Sequence, residues 1–154
     1  MCSFDENLLR QLDFVISSVH SHFDLSSHEM TERICTAIKN PFTSILAHPT
    51  GRLLLERKGY EVDIEEILSC ISSHKKIIEL NCNPKRLDLS WRHLGLAKEM
   101  GIKICLSPDA HSVDQIEYIT YGLHMARKAG LQKKDIINCL HSCELDNLLA
   151  TLKN

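Results

Sequence analysis

The chain has 154 residues, 44% of them hydrophobic and 25% charged, with a formal net charge of -2. That length supports one domain with a buried core, and the near-neutral balance gives no electrostatic basis for strong nonspecific nucleic-acid binding. No apolar run approaches a membrane span and no signal-peptide pattern is present, so a cytoplasmic protein with no membrane partner is expected.

In chain order, residues 1–12 read as a short leader helix. Residues 14–19, Phe-Val-Ile-Ser-Ser-Val, form an apolar strand pattern. Ser26-Ser27-His28-Glu29 is a capping-box pattern, followed by Met30, Ile34, Ala37 and Ile38 at helical spacing and stopped by Asn40-Pro41. A second strand covers 44–47, and a long loop runs to about residue 62. Asp63 caps a helix with Ile64, Ile67, Leu68 and Ile71 in register. A third strand covers 76–80. Ser90 caps the next helix, which carries Leu94, Ala97 and Met100 and ends at Gly101. A fourth strand covers 103–106. Ser112-x-x-Gln115 reads as a second capping box, opening a helix with Ile116, Ile119, Leu123 and Ala126. Two short helices are expected near 133–140 and 144–152. Strand and helix thus alternate four times, which predicts an α/β fold of parallel strands with helices packed outside.

Seven cysteines are present with no CxxC pair, and several sit in apolar runs, as in Lys-Ile-Cys105-Leu. They read as buried free thiols in a reducing compartment. Cys139 and Cys143 are too few for a zinc site.

The polar residues fall at one end of each strand. His20-Ser21-His22 follows the first, His48-Pro49-Thr50-Gly51-Arg52 the second, and Asp109 and His111 the fourth; Glu79, Asn81 and Asn83 end the third. The C-terminal ends of parallel strands form the usual active-site edge. Imidazoles and carboxylates there suit zinc, manganese or iron, which activate water and steady phosphoryl oxygens. Arg52 and Arg86 are candidate phosphate clamps, although Arg52 also has Glu56 one turn on as a partner. His22 is a further candidate. Glu79 either faces the site or pairs with Lys76 or Arg86. His28, His74, His93, His124 and His141 read as solvated.

Four segments, "DFVISSVHSHF", "ILAHPTGRLL", "IIELNCNPKRLDLSW" and "SPDAHSVDQI", resemble in order and spacing the PHP (polymerase and histidinol phosphatase) domain, most closely that of bacterial family X DNA polymerases. The resemblance covers residues 13–149. It implies a metal-dependent phosphoesterase on a distorted (βα)7 TIM-like barrel, holding up to three manganese, zinc or iron ions. It implies His20, His48, Asp109 and His111 as metal ligands and catalytic residues. Its substrates would be a phosphorylated small molecule or a DNA 3′ end, with 3′-5′ exonuclease-like processing in the polymerase-linked members. The family's opening His-x-His motif and its bridging glutamate have no counterpart here, so residues 13–154 are expected to be the C-terminal half, about four βα units. Either a homodimer or a partner chain carrying the N-terminal motifs would then complete it. The alternative is a catalytically inactive or split-gene fragment serving as a metal-binding or interaction module; a metal-dependent amidohydrolase-like enzyme is a third reading.

Overall fold

The computed structural model describes residues 4–152. After a short helix α1 (Glu6–Leu9) come β1 (Ile16–Ser17), α2 (Ser27–Lys39), β2 (Ile45–Leu46), α3 (Ile64–Ser73), β3 (Ile77–Asn81), α4 (Trp91–Glu99) and β4 (Ile104–Ser107). A 3-10 segment (Val113–Tyr118) leads into α5 (Ile119–Lys128). Two 3-10 turns, Lys133–Asp135 and Ile137–Cys139, precede α6 (Ser142–Leu152). The strands form one open sheet in the order β1-β2-β3-β4, every pair parallel. The alternating α/β pattern is therefore observed; the sheet does not close into a barrel among the described residues. No helix among them is long and apolar enough to cross a membrane.

The helix starts follow the side-chain chemistry. Ser26 and Glu29 form the reciprocal capping box, Asp63 accepts from the Glu66 N–H, and Ser90 accepts from the His93 N–H. Each satisfies a donor that the first helical turn leaves free. One start differs from expectation. Ser112 makes no side-chain cap; the Gln115 side chain accepts from the His111 N–H at 2.8 Å instead. The chain therefore passes through 3-10 geometry, and α5 begins only at Ile119. Its buried positions are Gly122 and Ala126, while Ile116 and Leu123 are exposed. At Gly122 an added Cβ would lie 2.0 Å from the Cys82 sulfur, so α5 approaches the end of β3 as closely as glycine allows.

The two faces of the sheet carry different cores. Leu46, Ile78, Leu80, Ile104 and Leu106 point toward the α2–α5 layer, against Ile34, Ile67, Leu68, Ile71 and Leu94. Ile45 and Ile77 point the other way and meet Ile137 and Leu152, with Leu145, Leu148 and Leu149 packed alongside. Period-two alternation along the strands produces this division. The second face is thus covered at its lower end by α6. Lys76 ties that helix down by donating to the Leu152 carbonyl at 2.9 Å.

The outer edge of β4 is also occupied. Asn138 accepts from the Leu106 N–H at 2.8 Å and donates to the Leu106 carbonyl at 3.0 Å, as a neighbouring strand would. Replacing Asn138 with alanine leaves the Leu106 N–H without that acceptor and its carbonyl with only the weak Cys105 thiol donor. The expected loss is about 1–2 kcal/mol, read as a lower thermal-unfolding midpoint, with Asn138→Asp intermediate because it keeps the acceptor and loses the donor.

Candidate active site

At the C-terminal ends of the strands, residues of one side-chain parity are polar where those below were apolar. On β3, Ile77, Glu79 and Asn81 share a face. Ile77 meets α6, and the two polar groups lie above it, buried, with Glu79 only 4% and Asn81 0% exposed. The chain leaving β2 turns at once: His48 has φ 30°, a conformation side chains rarely adopt. A hydrogen bond holds this turn. The His48 N–H donates to Glu79 Oε2 at 2.7 Å.

From Glu79 the network continues. Asn81 Nδ2 donates to Glu79 Oε2 at 3.3 Å and to Asp109 Oδ2 at 3.1 Å, while its Oδ1 accepts from the Asn83 N–H at 3.1 Å. Arg86 Nε donates to the same Asp109 oxygen at 3.1 Å. Asp109 itself stands at φ 52°. Side chains from β3 and from the loops after β3 and β4, together with the His48 backbone N–H after β2, are therefore linked into one chain of contacts. The loop after β1 joins by ring contact: His20 lies edge-on to His48 with centroids 5.2 Å apart. Arg33 of α2 steadies that loop by donating to the Ser21 carbonyl at 2.7 Å.

Burial sets the charge states. His48 is pushed down to about 4 by desolvation, with the Arg86 guanidinium adding to the effect, so at neutral pH it is an uncharged imidazole. Its Nδ1 is buried without a hydrogen-bond partner. Glu79 is pushed up to about 7 by desolvation, against the pull of the His48 N–H.

His20, His48, Glu79, Asn81, Asp109 and Arg86 are thus gathered. His111 stands at the exposed rim, its Nδ1 2.8 Å from the Asp109 carbonyl oxygen. His22 is exposed on left-handed backbone, φ 54°. Glu79 pairs with neither Lys76 nor Arg86: it faces the site. Arg52 differs from both of its expected uses. Its Nε donates to the Arg86 carbonyl at 2.8 Å and its Nη2 to the Leu87 carbonyl, so the fork fastens the loop that carries Arg86. Glu56 pairs with Lys85 instead, at 2.7 Å.

Two residues were passed over in the sequence. Asp88, fully buried, accepts from both the N–H and the hydroxyl of Thr50 at 2.9 Å, fastening the loop after His48. An acid between Leu87 and Leu89 was its signal. His93, expected to be solvated, is half-buried with Nδ1 unpartnered, whereas His28, His74, His124 and His141 are exposed. The thiols of Cys35 and Cys82 are buried and pushed up to about 12, in keeping with packing roles.

The expected metal centre is not complete. Among the described residues no group of three or more His, Cys, Asp or Glu side chains is placed to hold a metal ion, and even an open catalytic site takes three protein ligands. Asp109 Oδ2 is already engaged by Arg86 and Asn81. The residues present do not by themselves fit the ion that the resemblance implies.

No family model matches the chain. It is 38% identical over 135 residues to the DNA polymerase/3′-5′ exonuclease PolX of Bacillus subtilis (strain 168), a match covering 88% of this chain and 24% of that protein. It is 30% identical over 142 residues to a probable phosphatase of Thermoanaerobacter sp. (strain X514), covering 86% of this chain and 56% of that one. A probable phosphatase of Caldicellulosiruptor bescii is 34% identical over 115 residues, 69% of this chain and 45% of that protein. The chain is homologous to part of each. It spans about half the length of these phosphatases and about a quarter of PolX.

The buried pair makes stability pH-dependent in two directions. Glu79, raised from 4.5 to about 7, favours the native state below pH 4.5, and that contribution is lost as pH rises through 7. His48, lowered from 6.5 to about 4, contributes above pH 6.5 and loses that contribution as pH falls toward 4. Glu79→Gln removes the first dependence alone. Between pH 4.5 and 8 the stability difference moves in favour of the variant by roughly 3 kcal/mol, measured by unfolding at each pH; a constant difference contradicts the assignment.

Proposed function

We propose that the chain forms one wall of a phosphoester-hydrolysing site of the PHP type. The observation that carries this reading is the half-buried Arg86 guanidinium, fixed by Asp109 and close enough to the neutral His48 to act on its charge, with His20 edge-on to His48. Homology to probable phosphatases and to a polymerase with 3′-5′ exonuclease in its name supports it. Arg86 has N–H groups beyond Nε with which to take a phosphoryl oxygen, and its fixed plane suits that task. His48 offers a lone pair for a proton at neutral pH. Asn81 and Asp109 orient Arg86; His20 and His111 line the rim. Arg52 acts on phosphate through the loop it fastens. The substrate is a phosphomonoester or phosphodiester, either a phosphorylated small molecule or a DNA 3′ end. Manganese, zinc or iron would supply Lewis-acid chemistry in a site completed by further ligands.

That incompleteness favours a second reading, a non-catalytic binding module. Two measurements on the full chain separate them: hydrolysis of p-nitrophenyl phosphate and bis(p-nitrophenyl) phosphate with and without Mn2+, and calorimetric binding of inorganic phosphate. Arg86→Ala is expected to lower both at least about tenfold, in line with loss of a charged hydrogen bond. Phosphate binding that depends on Arg86 without hydrolysis supports the second reading. Indifference of both measurements to Arg86→Ala rejects the site.

A further inference from the structure

Helices α2 and α3 meet along a seam over the apolar layer of the sheet, and each brings a thiol to it. The seam is registered at one end, where the Asp63 N–H donates to the Thr31 hydroxyl oxygen at 2.9 Å. About one turn past Thr31 on α2 stands Cys35, and about two turns past Asp63 on α3 stands Cys70. Cys35 lies within the core, 7% exposed, and Cys70 packs against that core from a half-buried position. Cys70 Sγ donates to the Cys35 carbonyl at 3.8 Å, and the two thiols also meet side chain to side chain. A third group completes the arrangement. Nδ1 of the exposed His74 donates to the Cys70 carbonyl at 2.9 Å and lies 3.8 Å from the Cys70 sulfur. Against a carbonyl that nitrogen can only donate, so its N–H is at hand for charge that develops on the sulfur. Cys35, by contrast, is kept a thiol by burial, which pushes it up to about 12. Packing accounts for a small apolar side chain at either position. It does not call for two sulfurs in contact, one of them reached by solvent beside an imidazole.

We infer that Cys35 and Cys70 are an oxidisable pair, which hydrogen peroxide converts to a stabilising disulfide joining α2 to α3. Cys70 reacts first, because it is the accessible sulfur of the two. Its thiolate attacks one peroxide oxygen and the O–O bond breaks. A sulfenic acid forms on Cys70, and the departing hydroxide takes up the thiol proton as water. The Cys35 sulfur then attacks the Cys70 sulfur, gives up its proton and expels the sulfenic oxygen as a second water. Two thiols lose two electrons in all, and one peroxide is reduced to two waters. A buried thiol such as Cys35 is a poor nucleophile toward outside reagents; contact with Cys70 makes the second step intramolecular. The new bond spans 35 positions of the chain, so it restricts the unfolded state and favours the folded one. The other described thiols are set differently. Cys82 and Cys105 donate to the carbonyls of Leu80 and Leu106, and Cys139 and Cys143 are exposed around the start of α6.

The test is to reduce the full chain, expose it to hydrogen peroxide, alkylate it under denaturing conditions and map the peptides by mass spectrometry without reductant. A peptide pair joining Cys35 to Cys70 is expected, lighter than its separate parts by the two lost hydrogens. The oxidised chain is expected to unfold at a higher temperature than the reduced one, and dithiothreitol to reverse both changes. In Cys35→Ser, oxidised with dimedone present, the linkage is lost and Cys70 carries the dimedone label of a stranded sulfenic acid. In Cys70→Ser, Cys35 is recovered as an alkylated free thiol. The map of the unsubstituted chain stands whether or not either variant folds. Cys70 recovered there as a free thiol after Cys139 and Cys143 have been oxidised overturns the inference. So does a linkage formed only between separate chains, or a Cys35–Cys70 bond that lowers the unfolding midpoint.

Discussion

A single hydrogen bond, from the His48 amide to the Glu79 carboxylate, sets the arrangement at the strand ends. A carboxylate under an apolar sheet is costly unless its oxygens are used. Here the backbone of the neighbouring strand's exit loop uses one of them, and Asn81 shares it. The same bond holds His48 in a conformation that a free loop would leave. From that fixed point the contacts run outward through Asn81 and Asp109 to Arg86. The burial that makes the bond strong also keeps His48 uncharged and raises Glu79. Position and protonation state therefore share one physical cause.

The lower half of the same sheet face has an apolar solution. Ile45 and Ile77 meet the leucines of α6, so the polar floor begins immediately above a dry one. This division allows an open four-stranded sheet to keep a dry core on both sides. It also explains why the covering is one-sided: the segment after β4 reaches over β4 and under β3, and β1, the first strand, lies farthest from it.

Much of the fold was legible because local chemistry and global topology agree. Ser26 with Glu29, Asp63 and Ser90 announce helix starts that the structure uses. Apolar runs of four to six residues between them mark the strands, and polar residues after each run mark the site edge. The failures were of another kind. Gln115 serves His111 because Asp109 takes left-handed backbone and turns the chain before any helix can begin. Arg52 binds carbonyls of residues 86 and 87, a partnership across 34 positions that no local pattern encodes. β1 shrinks from six expected residues to two, Ile16 and Ser17, paired with Ile45 and Leu46. The rim histidines and the carboxylate lie at one edge as expected, yet close approach of three ligands depends on side-chain direction, which spacing alone does not fix.

The His48 amide is the most direct place to examine this account. Its proton is buried and donated to Glu79, so native-state hydrogen exchange should open it only with the sheet, at a free energy close to that of global unfolding and comparable to the amides of β3. Exchange as fast as that of the exposed loop residue Leu55 would contradict it, and with it the claim that a buried carboxylate holds the strand ends together.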